Sequence, residues 1–249
     1  MPQLIQLDAQ KLAYVVTPKV ASTSLMQFCY AVAGLDLAGE NVRKSARKSA
    51  VQRQLADLGV QDLRLTPNEL VARQAALDGY YWIAACRDPL KRLISSYHSK
   101  AHRYAQTFDK TAFRAASLRR VLDGPRALSD SRYLSLHVTR RIDFPTFVQG
   151  LVTHGITFDA HFRLQTKHLC HGRMQYDRIV RLESLEDDIQ AICAARGIEH
   201  PYPNGFPRLN VSDLVEKPKV EVSDETIGAV EALYAEDFRA FGYPMPSAG

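Results

Sequence analysis

The sequence predicts an α/β protein in which a central parallel sheet is flanked by helices. Apolar runs of strand length occupy residues 12–16, 80–86 and 177–182, and each is followed by apolar residues at helical spacing. Parallel strands need long connections, usually helices that cross the sheet in a right-handed sense. No linker rich in proline, glycine or serine divides the chain, so we expect residues 1–249 to form a single domain.

Helices are predicted from apolar periodicity and from residues typical of helix ends. Residues 66–69, Thr-Pro-Asn-Glu, form a capping box, Asp88 before Pro89 is typical of a helix start, and Gly197 is typical of a helix end. The segments predicted in this way are residues 25–32, 67–77, 89–97, 143–152, 185–196 and 224–241. Residues 200–219 are rich in proline and are predicted to form a loop.

A loop of small and hydroxylated residues follows the first predicted strand. It and the start of the next helix consist of Pro18, Lys19, Val20, Ala21, Ser22, Thr23, Ser24 and Leu25. Such a loop aims backbone N–H groups, hydroxyls and the lysine ammonium at a bound anion. No glycine occurs between Lys11 and Ala33, whereas a Walker A loop is rich in glycine. The sequence therefore argues against a nucleoside-triphosphate site.

Arg87 follows the second predicted strand directly. Ligands of open α/β sheets bind at the carboxyl ends of the strands. If the two strands are parallel neighbours, the first loop delivers Lys19 to the same edge of the sheet as Arg87. This edge is the predicted binding site.

The two segments, in this order, resemble sulfotransferases that use 3′-phosphoadenosine 5′-phosphosulfate (PAPS), specifically the carbohydrate sulfotransferase family that includes chondroitin and HNK-1 sulfotransferases. Residues 18–25 resemble the family's 5′-phosphosulfate loop. Arg87 and Ser95 resemble its 3′-phosphate pair in the pattern Arg-Asp/Glu-Pro-x-x-Arg-x-x-Ser. Residues 159–165, 176–186 and 233–243 also resemble segments of this family. One difference is that many relatives carry tryptophan at the position of Phe162.

The resemblance implies a P-loop-like three-layer fold and transfer of a sulfuryl group from PAPS to a hydroxyl acceptor on a carbohydrate or glycoconjugate. Lys19 is expected to contact the leaving oxygen, where charge develops in the transition state. His161 is expected to act as general base, oriented by Asp159 or Gln165. Other candidates for the base are Glu40, Glu69, His98 and His102.

A basic loop late in the chain holds Lys217 and Lys219. Related enzymes commonly close over PAPS with such a loop, so Lys217 is a candidate contact of the nucleotide, and an ordinary surface loop is the alternative. His98 with His102, and residues 168–171, have spacings that suggest zinc, but neither set of ligands is complete. Sulfuryl transfer from PAPS needs no metal, and none is expected.

The net charge of +5 has a local origin. Arg43, Lys44, Arg47, Lys48 and Arg53 lie in one stretch without acidic residues. This stretch is either a solvated helix face or a rim that attracts an anionic cofactor or acceptor. Nucleic acid is not an expected partner, because no binding module or aromatic pattern accompanies the charge.

No apolar run approaches the roughly 18 residues of a transmembrane helix, and the N-terminus has no basic region before a long apolar stretch. We expect a cytoplasmic protein without a transmembrane segment, a soluble bacterial member of the family. The four cysteines lie far apart, so a disulfide framework is not expected. A P-loop-like small-molecule kinase and a catalytically silent nucleotide-binding relative are the alternative functions.

Overall fold

The structure is a computed structural model, and it describes residues 1–35, 37, 49–108, 142–206 and 220–246. The chain divides into two compact units. The first comprises Met1–Arg87 and Gln165–Ser212, and the second comprises Asp88–Leu164 and Asp213–Gly249. The expectation of a single domain stays a prediction.

The first unit is built on a sheet of five strands. These are β1 Gln3–Leu7, β2 Leu12–Val16, β3 Val60–Arg64, β4 Tyr81–Cys86 and β5 Arg178–Arg181, in the order β3-β1-β2-β4-β5. The strands β2, β4 and β5 are parallel, which confirms the three predicted strands and their direction. The α/β fold class with a sheet between helices is confirmed.

The strands β1 and β3 were not predicted, and both run antiparallel to their neighbours, so the sheet is mixed. A turn at residues 8–11 joins β1 to β2, and so short a connection permits only an antiparallel pair. Both strands contain polar residues, so neither forms the continuous apolar run from which the other strands were predicted. Gln3, for example, is buried and donates to the Asp62 carboxylate across the pair at 2.8 Å.

Each predicted helical segment contains a helix, and the helix that begins at Pro89 continues to Phe108, well beyond the predicted end at residue 97. They are α1 Ser22–Val32, α2 Ser49–Asp57, α3 Pro67–Ala76, α4 Pro89–Phe108, α5 Phe144–His154, α6 Gln165–His168, α7 Leu185–Arg196 and α8 Asp224–Phe241. Of these, α2 and α6 were not predicted. The capping box at Thr66 and the left-handed Gly197 at the end of α7 are both present, as the sequence predicts.

The core of the first unit lies against the central strands. Every residue of β1 and β2 is buried. Tyr14 and Val16 belong to one apolar cluster with Leu25 and Phe28 of α1 and with Ile189 of α7. Because β2 pairs with β4 in parallel, the carboxyl ends of these strands lie at one edge of the sheet. The predicted arrangement of the two strands that precede Lys19 and Arg87 is confirmed.

The second unit packs α4, α5 and α8 around an aromatic cluster. Tyr97 meets Phe144 edge to face at 5.5 Å between ring centroids, and Phe147 meets Phe162 in the same way at 5.4 Å. Tyr234 of α8 is buried in the same cluster. Edge-to-face pairs are favourable beyond the area that they bury, so these rings fix the helices in the unit.

The four cysteines are free thiols, and all are buried. Burial raises the pKa of Cys170 and of Cys193 above the ordinary value of a thiol. A buried thiol that stays protonated is a poor nucleophile. Within the described ranges, no helix combines the length and apolarity that a bilayer crossing requires.

Candidate active site

The loop between β2 and α1 has an unusual backbone. Lys19 has φ 71° and Ala21 has φ 57°, so two residues with side chains occupy the left-handed region within one turn. Such a conformation costs on the order of 1–3 kcal/mol for a residue other than glycine, and it persists where the surrounding structure enforces it. Strain of this kind is concentrated at ligand sites. The conformation of Lys19 is therefore a first sign of function.

The same loop leads into the N-terminus of α1. Ala21 is the N-cap residue, and no side chain in the described part of the protein caps the helix. The first turn carries the hydroxyls of Ser22, Thr23 and Ser24, two of which are buried. A helix N-terminus carries partial positive charge and N–H groups that point along the axis. The loop and the helix end thus present cationic and hydrogen-bonding groups in one short segment.

Thr17 lies directly before the loop, and no pattern in the sequence singles it out. Its side chain is 0% exposed, and its Oγ1 has no hydrogen-bond partner among the residues that the structure describes. A buried polar group without a partner costs about 1–3 kcal/mol, so an orphan hydroxyl here is consistent with a ligand that supplies the partner. Together with Lys19, this hydroxyl makes the loop a fit for an anionic group such as a phosphosulfate.

Arg87 follows β4, and its main chain is held at both polar atoms by one side chain. The Arg87 N–H donates to Gln165 Oε1 at 3.0 Å, and the Arg87 carbonyl accepts from Gln165 Nε2 at 3.0 Å. Gln165 is the first residue of α6 and is 0% exposed. The buried amide therefore fixes the backbone from which the guanidinium extends. The sequence suggested Gln165 as a residue that orients His161, whereas its amide is engaged with Arg87.

His161 belongs to the second unit and sits in a turn that begins at Asp159. The Nδ1 atom of His161 lies 2.6 Å from Asp159 Oδ1, and the His161 main-chain N–H donates to the same oxygen at 2.8 Å. A carboxylate only accepts, so the ring proton belongs on Nδ1 and Nε2 is the basic nitrogen. Of the two residues suggested to orient His161, Asp159 makes this contact.

Glu69, an alternative for the base, is engaged elsewhere. Its carboxylate accepts from the Thr66 main-chain N–H at 2.7 Å and completes the capping box of α3. These hydrogen bonds from Thr66 lower the pKa of Glu69 below its ordinary value. A carboxylate whose charged form is stabilised in this way is a weaker base, so the structure favours His161 over Glu69.

The remaining candidates are placed only in part. Ser95 lies half-buried in α4, which belongs to the second unit. His98 is on the same helix, with its ring 5.2 Å from that of Tyr97. Glu40, Lys217 and the side chain of His102 lie outside the described residues. Among the described residues, no group of three histidine, cysteine, aspartate or glutamate side chains could hold a metal ion.

The protein has an α/β fold in which the loop of Lys19 and the residue Arg87 follow the carboxyl ends of two parallel neighbouring strands. Residues 2–244 match the model of a family described as the sulfotransferase family. The chain belongs to the sulfotransferase family.

Similar proteins carry related names. Mouse carbohydrate sulfotransferase 14 is 23% identical over 245 residues, which cover 96% of this chain and 60% of the mouse protein. Carbohydrate sulfotransferase 10 of Xenopus laevis is 27% identical over 259 residues, which cover 96% of this chain and 67% of that protein. The chain thus spans about 60% of the length of the first of these relatives. No solved structure matches the chain.

Proposed function

We propose that the protein transfers a sulfuryl group from PAPS to a hydroxyl of a carbohydrate or glycoconjugate. The observation that carries this proposal is the left-handed Lys19 in the strained loop before helix α1, whose N-terminus no described side chain caps. Membership of the sulfotransferase family supports the reaction, and the names of the similar proteins support a carbohydrate acceptor.

The donor side is assigned to residues of the loop and to Arg87. PAPS supplies an activated sulfuryl group, and its phosphosulfate would be held by the hydroxyls and N–H groups at residues 22–24. Lys19 stabilises the charge that develops on the leaving oxygen. The planar guanidinium of Arg87 suits the 3′-phosphate, because it donates two parallel hydrogen bonds. By resemblance, Ser95 adds a hydroxyl for this phosphate, and Lys217 is a further candidate contact.

The acceptor hydroxyl must lose a proton as it attacks the sulfur. His161 can take this proton at Nε2, because Asp159 holds the other ring nitrogen as a donor. The same carboxylate stabilises the imidazolium that results. His161 is therefore the proposed general base.

Two alternatives from the sequence lead to different ligands. The sulfotransferase family model favours sulfuryl transfer over a P-loop-like kinase. A catalytically silent relative would bind the nucleotide and lack turnover, so it is an outcome of the activity test. Neither a metal nor nucleic acid is part of the proposal. The proposed location is the cytoplasm, which stays a prediction from the sequence.

Calorimetry with adenosine 3′,5′-bisphosphate (PAP) tests the donor site. We expect PAP to bind without magnesium and more tightly than AMP, because only PAP carries a 3′-phosphate for Arg87. The variant Arg87→Ala should bind PAP about 10- to 100-fold more weakly, the scale of a lost charged hydrogen-bond pair, and leave AMP binding nearly unchanged. Equal affinity of the parent protein for PAP and AMP would remove the basis for this site.

A further inference from the structure

We infer that Tyr234 is a positioning residue for His161, an inference that rests on the proposed role of His161 as general base. Tyr234 lies on α8, far along the chain from the turn that carries the histidine. Its hydroxyl donates to the main-chain carbonyl of Phe162, 72 positions away, at 2.7 Å. Both groups belong to the second unit. The tyrosine thus holds the residue next to the base.

The His161 turn has a second anchor on α4. The Ser96 hydroxyl lies 3.0 Å from the His161 carbonyl and 3.0 Å from the Arg92 carbonyl. A hydroxyl has one proton, so Ser96 divides its donation between the two carbonyls. The Tyr234 hydroxyl donates to the Phe162 carbonyl at the shorter distance of 2.7 Å. The tyrosine is therefore the stronger of the two anchors.

Burial makes the tyrosine a permanent donor. Tyr234 is 0% exposed, and burial raises its pKa well above the ordinary value of a phenol. The phenol therefore keeps its proton at neutral pH, and its hydrogen bond to the Phe162 carbonyl does not titrate away there. Phe162 is itself 0% exposed, so water cannot replace a lost donor without rearrangement of the turn.

Two buried charged side chains interact electrostatically with the phenol. Arg92 is 1% exposed and interacts electrostatically with Tyr234 and with Asp237, which is 0% exposed. A buried guanidinium near a buried carboxylate resists displacement, because separation of the charges would leave each one desolvated. Arg92 lies on α4 and Asp237 on α8, and Tyr234, also on α8, donates to the turn of His161.

This arrangement explains how the Asp159–His161 contact is kept. The imidazole is aligned by a short hydrogen bond at 2.6 Å, and such alignment requires that the main chain on either side of the ring does not move. Asp159 fixes the main-chain N–H of His161, Ser96 fixes its carbonyl, and Tyr234 fixes the next carbonyl. Loss of the last bond frees the turn to shift the ring away from Asp159.

The test compares Tyr234→Phe with Tyr97→Phe. Tyr97 is a matched control, because it is buried in the same aromatic cluster and its hydroxyl also donates to a main-chain carbonyl at 2.7 Å, that of Ile142. Imidazole ¹⁵N shifts report which ring nitrogen carries the proton, and the His161 signal is assigned by its absence in His161→Ala. We expect Nδ1 protonation in the parent and in Y97F, and a mixture of both tautomers in Y234F. This measurement needs no turnover.

The rates of sulfuryl transfer by the same variants provide a second test. Y234F should lower the rate about 10- to 100-fold, the scale of a small misplacement of a catalytic group, whereas Y97F should stay near the parent. In an H161A background, Y234F should change the residual rate by less than about twofold, because its effect acts through the histidine. Full activity of H161A would contradict the role of His161 as general base. It would leave open whether Tyr234 positions the imidazole, because the ¹⁵N shifts test that role independently of turnover.

Unchanged tautomers in a folded Y234F, or equal effects of Y234F and Y97F on the His161 signal, would overturn the inference. If Y234F does not fold, Ser96→Ala replaces it, with the same expected direction and a smaller effect. In that case, parent-like His161 shifts in S96A would count against the role of the anchors.

Discussion

The loop that carries Lys19 and the turn that carries His161 are built in opposite ways. Lys19 and its neighbour Ala21 hold left-handed conformations, and no described side chain caps the helix that follows. Around His161, Asp159 and two hydroxyls engage the main chain on both sides of the ring. The loop is the segment to which we assign the binding of a ligand, whereas the turn uses its hydrogen bonds to fix a single side chain.

The difference follows from what each group has to do. A lysine that faces developing charge needs neighbouring N–H and hydroxyl groups that can also turn to the anion. A base needs one ring nitrogen presented in one orientation, so its support must be satisfied within the protein. Changes in the loop should therefore affect turnover through the residue itself, whereas changes near the turn should act through alignment.

The largest expected effect is that of Lys19→Ala. We expect turnover to fall about 10²- to 10³-fold, the scale of one lost donor at a developing charge, with little change in the affinity for PAP. Steady-state rates at saturating PAPS and calorimetry separate the two quantities. Lys11→Ala is the matched control, since Lys11 also has positive φ, at the start of β2 instead of its end. If K19A kept nearly the turnover of the parent, Lys19 would not stabilise the leaving oxygen and would at most contact the bound nucleotide.

His161→Ala should have the next largest effect. Loss of a positioned base lowers the rate on the order of 10²-fold, and PAP binding should be nearly intact. The rate of the parent should also fall as the pH is lowered, because only a neutral imidazole accepts the proton. Glu69→Gln serves as the comparison and should keep its activity. If instead H161A were active and E69Q inactive, the general base would be Glu69 and not His161.

Gln165→Leu should have a smaller effect on the donor site. The change leaves the N–H and the carbonyl of Arg87 without their buried partner, so we expect about tenfold weaker PAP binding and a loss of stability of about 1–3 kcal/mol. Calorimetry and chemical denaturation measure the two effects. Gln74→Leu is the control, because Gln74 holds both main-chain polar atoms of Gln175 in the same way. Equal PAP affinity in both variants would show that the Arg87 backbone needs no such support.

Thr66→Ala should have the smallest effect and none on catalysis. The change removes the hydroxyl that accepts from the Glu69 main-chain N–H at 3.3 Å, a capping contact worth about 1 kcal/mol. Denaturant midpoints measure the loss of stability, and turnover should equal that of the parent. Reduced turnover of a folded T66A would connect α3 to the reaction, contrary to the roles assigned here.

The parts of the fold that depend on local signals could be predicted from the sequence. The capping box of Thr66, the Asp88 cap of α4 and the left-handed Gly197 each act within one helical turn, and all are present. The strand β1 could not be found in this way, because its glutamines are buried with polar partners that are distant in sequence. Gln3 donates to Asp62 of β3, and Gln6 accepts from Arg73 of α3. Tertiary contacts bury this strand, and no apolar periodicity in the sequence indicates them.

The same division holds for the candidate site. Lys19 and Arg87 stand in short motifs, because the groups that bind one anion come from one loop or one strand end. Gln165 and Tyr234 act on main-chain atoms 78 and 72 positions away, and their side chains carry no local sign of that partner. Thr17 directly follows β2 and has no sequence signal of a role, which is suggested only by its buried hydroxyl, without a hydrogen-bond partner among the described residues.

Transfer of labelled sulfuryl groups from PAPS to a panel of saccharides tests the central claim most directly. The parent protein should label a saccharide hydroxyl without added metal and release PAP in equal amount, while K19A binds PAP and transfers almost no label. A protein that prefers PAP to AMP but transfers no label to any saccharide, phenol or peptide in the panel would be a silent binder, which would contradict the proposed activity.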